Sequence, residues 1–218
     1  MSWLSLYNAW VICVAIVSLF LWKLVGVLAF VLLLVFPLVY LIKEALGVEE
    51  HHLSGFWLFI LTEVAAFFTL FVTCLWFEGD GSEPISSFIE LPFLGCFVLI
   101  GSSALITTYH HYLGLSAGRW FLFLGVALGS CFLIIQVLEF YDCGFNLFSS
   151  VYAAVSFCTV GLHFLHVVIG LIILSILFSL GELVMDRYYA DLCVWYWHFV
   201  DYIWLLVYMV VYLSFDFE

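Results

Sequence analysis

The stretch FSSVYAAVSFCTVGLHFLHVVIGLIILSILFSL, residues 148–180, contains no Asp, Glu, Lys or Arg. It shows no alternation of apolar and polar positions and no single apolar stripe. A helix that is apolar on every side belongs deep inside a large protein or in lipid. As one helix it would be about 50 Å long, against a hydrocarbon core of roughly 30 Å, so it must tilt or project beyond the bilayer. With 67% apolar and 9% charged residues in a chain of 218, the polar side chains cannot cover a water-facing globule. The chain is read as an integral membrane protein.

Six further apolar runs flank this one: Trp3–Trp22, Leu24–Ile42, Gly55–Phe77, Leu91–Tyr112, Trp120–Tyr141 and Leu192–Phe215. Only Lys23 separates the first two. A continuous helix across both would be about 60 Å long, twice the core thickness, so a hairpin near Trp22–Gly26 is expected. The gaps GVEEHHLSG, EGDGSEP and YDCGFN carry the glycines and acids of turns. Trp3, Trp22, Trp76, Tyr112, Trp120 and Tyr141 fall at run ends, where aromatic rings sit among headgroups. The expectation is an all-α polytopic membrane protein with seven transmembrane helices, residues 1–218 forming a single membrane domain.

Charge narrows the function. A net charge of −12 with only four basic residues, Lys23, Lys43, Arg119 and Arg187, excludes a nucleic-acid surface. Seven cysteines form no CxxC pair and mostly lie in apolar runs, so they read as small fillers rather than a zinc or disulfide framework. The beginning MSWLSLYNAW has neither a basic region nor a cleavage pattern, so no removable leader is expected. Twenty-four phenylalanines beside one glutamine suggest the base-composition bias of an organelle gene. Across seven spans, Lys43, Arg119 and Arg187 fall on the side of the N-terminus and Lys23 opposite. This places the N-terminus on the negative side of the membrane.

Polar groups within the runs are costly and deserve separate readings. Glu63, in GFWLFILTEVAAFF, lies about 12 Å along its helix from Gly55. Its neighbours offer one hydroxyl, Thr62, and no cation. A carboxylate there needs a partner or holds a proton, serving either interhelical packing or proton handling. His198 and Asp201 are three residues apart and share a helix face, as do Gln136 and Glu139. Glu139 is expected near the surface and solvated. Gly125 and Gly129 form a small-xxx-small pair for close helix approach. The histidines, His51, His52, His110, His111, His163, His166 and His198, include adjacent pairs that diverge by about 100° on a helix and so are poor joint ligands. No metal site is expected, and interhelical or headgroup hydrogen bonds are the reading for them.

Several stretches, in order, resemble cytochrome c oxidase subunit III. GFWLFILTEVAAFF is similar to the third helix of that family, with its glutamate at Glu63. ELPFLGCFVLIGSSALITTYHHYL is similar to the fourth, ending in His110–His111. IIQVLEFYDCGF resembles the segment carrying Gln136 and Glu139. VYAAVSFCTVGLHFLHVVIGLIIL carries the Gly161, His163, His166, Gly170 pattern of the sixth helix, and WYWHFVDYIWLLVYMVVYL carries the terminal signature with His198 and Asp201.

The resemblance implies helices one and two splayed from a bundle of three to seven, with phospholipid in the cleft between them. It implies a non-catalytic subunit of the proton-translocating terminal oxidase, docked chiefly on subunit I, with subunit II and accessory subunits nearby. Haem and copper would reside in partner subunits and none in this chain. The expected role is support of proton uptake, through Glu63, and of turnover stability while the complex reduces oxygen to water. The expected place is the mitochondrial inner membrane, N-terminus in the matrix and C-terminus in the intermembrane space. His51, His52, His198 and Arg187 are the expected headgroup contacts, as basic groups at a membrane surface attract phosphate. Gln136, Glu139, His110, His111, His163, His166 and Asp201 are expected to be structural. A quinol oxidase subunit III is the near alternative. A transporter would need repeats and broken helices, and a di-iron desaturase more histidines than these seven.

Overall fold

The computed structural model describes residues 3–45, 53–79, 85–87, 89–144, 146–180 and 187–214. Among them are seven α-helices, one π-helical segment and no strand. Six helices are long and apolar enough to cross a bilayer, so the chain is an all-α polytopic membrane protein. By packing, the chain divides into two compact units, Met1–His52 and Leu53–Glu218.

The first unit is a helical hairpin of α1 (Trp3–Phe20) and α2 (Leu24–Ala45). The apolar part of α1, Leu6–Phe20, is about 22 Å long and falls short of the hydrocarbon thickness. The chain reverses at Trp22, whose φ of 51° puts it in the left-handed region. The amide of Lys23 bonds the Ser18 carbonyl at 2.9 Å and that of Trp22 bonds Leu19 at 3.1 Å. This is the paired-bond helix stop that glycine usually makes. A tryptophan there costs about 1–2 kcal/mol of backbone strain. The two helices are tied by the Tyr7 hydroxyl on the Leu33 carbonyl at 3.1 Å and by Trp3, Tyr7 and Phe36 ring contacts.

The second unit bundles α3 (Leu53–Phe77), α4 (Leu91–His111), α5 (Ser116–Asp142), α6 (Val151–Leu180) and α7 (Arg187–Val207). Its centre is Trp197, fully buried, whose indole N–H donates to the Ser102 hydroxyl at 3.0 Å. The ring fits because α5 and α6 offer no side chain opposite it. A Cβ at Gly129 or Gly170 would lie 2.8 or 2.9 Å from it. Gly125 receives the Ile106 side chain in the same way. Small residues thus set interhelical distance, as lipid-embedded bundles require.

Helix seven departs from the expected single run to Phe215. It begins earlier, at Arg187, and after Val207 it widens into a π-helix, Tyr208–Leu213. The wider turn frees backbone carbonyls, and the Tyr152 hydroxyl of α6 donates to that of Val211 at 3.2 Å. Tyr208 and Tyr212 stack along this segment at 6.1 Å.

Candidate functional site

On α3 the buried residues Phe67, Phe71 and Cys74 recur at helical spacing, and Glu63 stands one turn before Phe67 on the same stripe. That stripe faces α6. The Nε2 atom of His166 lies 3.0 Å from Glu63 Oε2, and its Nδ1 lies 2.8 Å from the Leu162 carbonyl. A carbonyl only accepts, so Nδ1 carries a proton. The remaining proton then sits between Nε2 and Oε2, on the imidazole as an ion pair or on the carboxyl as a neutral one. Glu63 was expected to lack local help. The sequence offered only Thr62, yet that hydroxyl donates to the Phe59 carbonyl at 2.7 Å. The help comes from α6 instead.

The pair forms part of the wall of an apolar cavity of about 580 Å³ between α3, α6 and α7. Phe56, Phe59, Leu162, Leu165, Ile169 and Ile173 line it, with Leu192, Cys193 and Tyr196 from α7. The Glu63 side chain keeps 25% of its surface accessible and His166 9%. Tyr196, buried beside them, donates to the His166 carbonyl at 3.5 Å. The arrangement can hold a proton between two bases at the edge of a space shaped for hydrocarbon.

His163, three residues before His166, points elsewhere. It donates from Nε2 to the Val200 carbonyl at 3.1 Å and packs on Trp204 at 4.9 Å. His198 does not line the cavity. Its Nδ1 meets the Ser103 hydroxyl at 2.6 Å and its Nε2 the Thr107 hydroxyl at 3.2 Å, both on α4. Asp201, 4% exposed, has its Oδ1 without a hydrogen-bond partner among the described residues. His198 and Asp201 therefore do not pair. His110 bonds Asp191 of α7 at 2.7 Å, while His111 and Arg187 are exposed. His51 and His52 lie outside the described residues. No three of His, Cys, Asp and Glu converge on a common point among the described residues.

Glu139 requires a correction. It was expected near the surface and solvated, but it is 1% exposed. Gln136 donates to its Oε2 at 2.5 Å and the Ser86 hydroxyl to its Oε1 at 2.7 Å. Ser86, in the short stretch 85–87, thus lies against the end of α5. The Gln136–Glu139 spacing announced a pair, but nothing in the sequence pointed to Ser86. Ser103, Thr107, Asp191 and Tyr196 were also missed. Only Ser103 and Thr107, at i and i+4, carried a signal.

A sequence model of "Cytochrome c oxidase subunit III" matches residues 10–215. The chain is 32% identical to cytochrome c oxidase subunit 3 of Arabidopsis thaliana over 75% of its own length and 72% of that protein. It is 32% identical to the Ovis aries protein, covering 72% of this chain and 67% of the relative. With the Pisaster ochraceus protein it shares 33% identity, over 79% and 76%. The motifs around Glu63, His166 and Asp201 thus sit in a chain that belongs to the cytochrome c oxidase subunit III family.

Proposed function

We propose that this chain is a subunit of a respiratory terminal oxidase that carries no redox centre itself. It docks on the subunit that reduces oxygen, with haem and copper held by partner subunits. It seats a phospholipid and steadies proton supply to that partner. The observation that carries this reading is the 3.0 Å contact between Glu63 and His166 in the wall of a hydrocarbon-shaped cavity. One acyl chain fits the cavity, since its walls are apolar apart from that pair and the phenols of Tyr189 and Tyr196. Arg187, the exposed first residue of α7, would supply the cation for a headgroup phosphate. Glu63 can pass protons from the membrane face on its side because imidazole and carboxyl exchange one proton without net charge entering the bilayer.

In this reading the chain lies in the mitochondrial inner membrane, with its N-terminus in the matrix. The alternative of packing alone predicts a different result for Glu63→Gln, which keeps shape and hydrogen bonding but removes titration. In the assembled oxidase, turnover of the variant should fall at lower pH than in the parent as pH rises, with subunit content unchanged. Equal turnover and proton pumping across the alkaline range would reduce Glu63 to a packing residue.

A further inference from the structure

Most of the bundle's outward surface suits hydrocarbon. On α6, Leu165, Ile172 and Ile176 are about half exposed, and on α5 Ile134 and Val137 are likewise. Outward hydroxyls elsewhere, such as Thr62 and Thr69 of α3, donate back to carbonyls of their own helix at 2.7 Å. The seam between α4 and α7 is different. Ser103, Thr107 and His110 recur on one stripe of α4, and Asp191, His198 and Tyr202 on one stripe of α7.

The hydrogen-bond count along this seam is determinate. Thr107 donates to the Ser103 carbonyl at 3.0 Å, so its oxygen accepts from His198 Nε2. Ser103 then supplies the proton facing Nδ1. His198 is satisfied within the seam, and Tyr202 is not. Its ring stacks on His198 with centroids 6.5 Å apart. It is 64% exposed, and its hydroxyl makes no hydrogen bond among the described residues. Counting along α7 from the Asp191–His110 pair, His198 lies about 10 Å inward and Tyr202 about 16 Å inward. A phenol hydroxyl is therefore turned outward near the middle of a roughly 30 Å core.

We propose that the α4/α7 seam is the docking face for a transmembrane helix of another oxidase subunit, which presents a carbonyl, carboxylate or hydroxyl oxygen to Tyr202. Acyl chains carry no acceptor, and headgroups lie at the level of Asp191, too far to reach. Only a protein helix brings an acceptor to that depth. The proposal rests on the reading of this chain as an oxidase subunit.

The test uses the whole oxidase in its own membrane, with a photoactivatable residue at position 202 or, as a control, at Ile172 on α6. Position 202 should yield adducts with a different oxidase subunit and position 172 adducts with lipid. Lipid adducts alone at 202, a second copy of this chain there, or equal protein capture at both positions would overturn the proposal. As a second measurement, Tyr202→Phe removes only the hydroxyl. It should speed release of the captured subunit in mild detergent by about fivefold, the equivalent of one hydrogen bond; an unchanged rate would overturn the hydrogen bond. Haem and copper co-purifying with a tagged chain report on the parent reading separately. If they are absent, that reading fails; if they are present with lipid adducts only, the docking face alone fails.

Discussion

Glu63 and Glu139 are the same chemical group in one bundle, the first near the middle of α3 and the second close to the end of α5, and their surroundings assign them different work. Glu139 is sealed: 1% exposed, it meets the Gln136 amide and the Ser86 hydroxyl. Neither partner titrates in the physiological range. Glu63 keeps a quarter of its side chain accessible, borders a cavity of about 580 Å³ and meets an imidazole. Histidine is the side chain that changes charge near neutral pH. A carboxyl enclosed by neutral donors fixes geometry, while one that shares a proton with a histidine beside an open space can exchange it.

Removing the sealed carboxyl should do the most damage. Glu139→Ala strands the Gln136 amide and the Ser86 hydroxyl and leaves a hole, for a loss of about 3 kcal/mol. Thermal unfolding of the detergent-solubilised complex should show this subunit released at lower temperature, with normal turnover per intact complex. Unchanged unfolding would break the comparison, because Glu139 would then clamp nothing. His166→Leu should cost less, about 1–2 kcal/mol, because Glu63 retains some access to solvent. Its clearer mark is on activity: with no imidazole to share the proton, the alkaline limb of the turnover profile should move. A profile identical to the parent would place Glu63 in the same structural class as Glu139.

Filling the cavity probes its other property. Ile169→Trp puts a larger ring into space that is already open, so the destabilisation should stay below about 1 kcal/mol, less than overpacking a filled core. Phospholipid retained per chain after delipidation, measured by mass spectrometry, should drop. Retention equal to the parent would mean that lipid sits elsewhere.

The spans were legible because composition decides them: a run free of charge from Phe148 to Leu180 has one physical solution. The stop at Trp22 was legible only as a length argument, since tryptophan gives no signal for a left-handed residue. The Glu63–His166 pair was not legible at all. The residues stand 103 apart in the chain, and no periodicity within α3 or α6 says which helix faces which. His163 and His166, three residues apart, share one helix face by spacing, yet one serves the Val200 carbonyl and the other Glu63. Glu139 was misjudged because nearness to a helix end was equated with solvent. Ser86 packs against that end and donates to the carboxyl.

The smallest expected effect is also the most discriminating, because it concerns the residue that sequence reading put beside Glu63. Thr62 is adjacent in the chain and holds the only hydroxyl nearby, so a local account makes it the partner of the carboxyl. In the folded chain its hydroxyl donates to the Phe59 carbonyl at 2.7 Å on an exposed face. Consecutive residues on a helix point about 100° apart, so Thr62 and Glu63 cannot both turn toward α6. Thr62→Val keeps the shape and β-branching, and the Phe59 carbonyl retains its ordinary helical bond. Stability should change by no more than about 0.5 kcal/mol, and the pH profile of turnover should superimpose on that of the parent. Beside the shift expected for His166→Leu, this near-silence would place the proton partner of Glu63 on α6. A Thr62→Val profile that moves as far as that of His166→Leu would return the partnership to α3 and dissolve the contrast with Glu139.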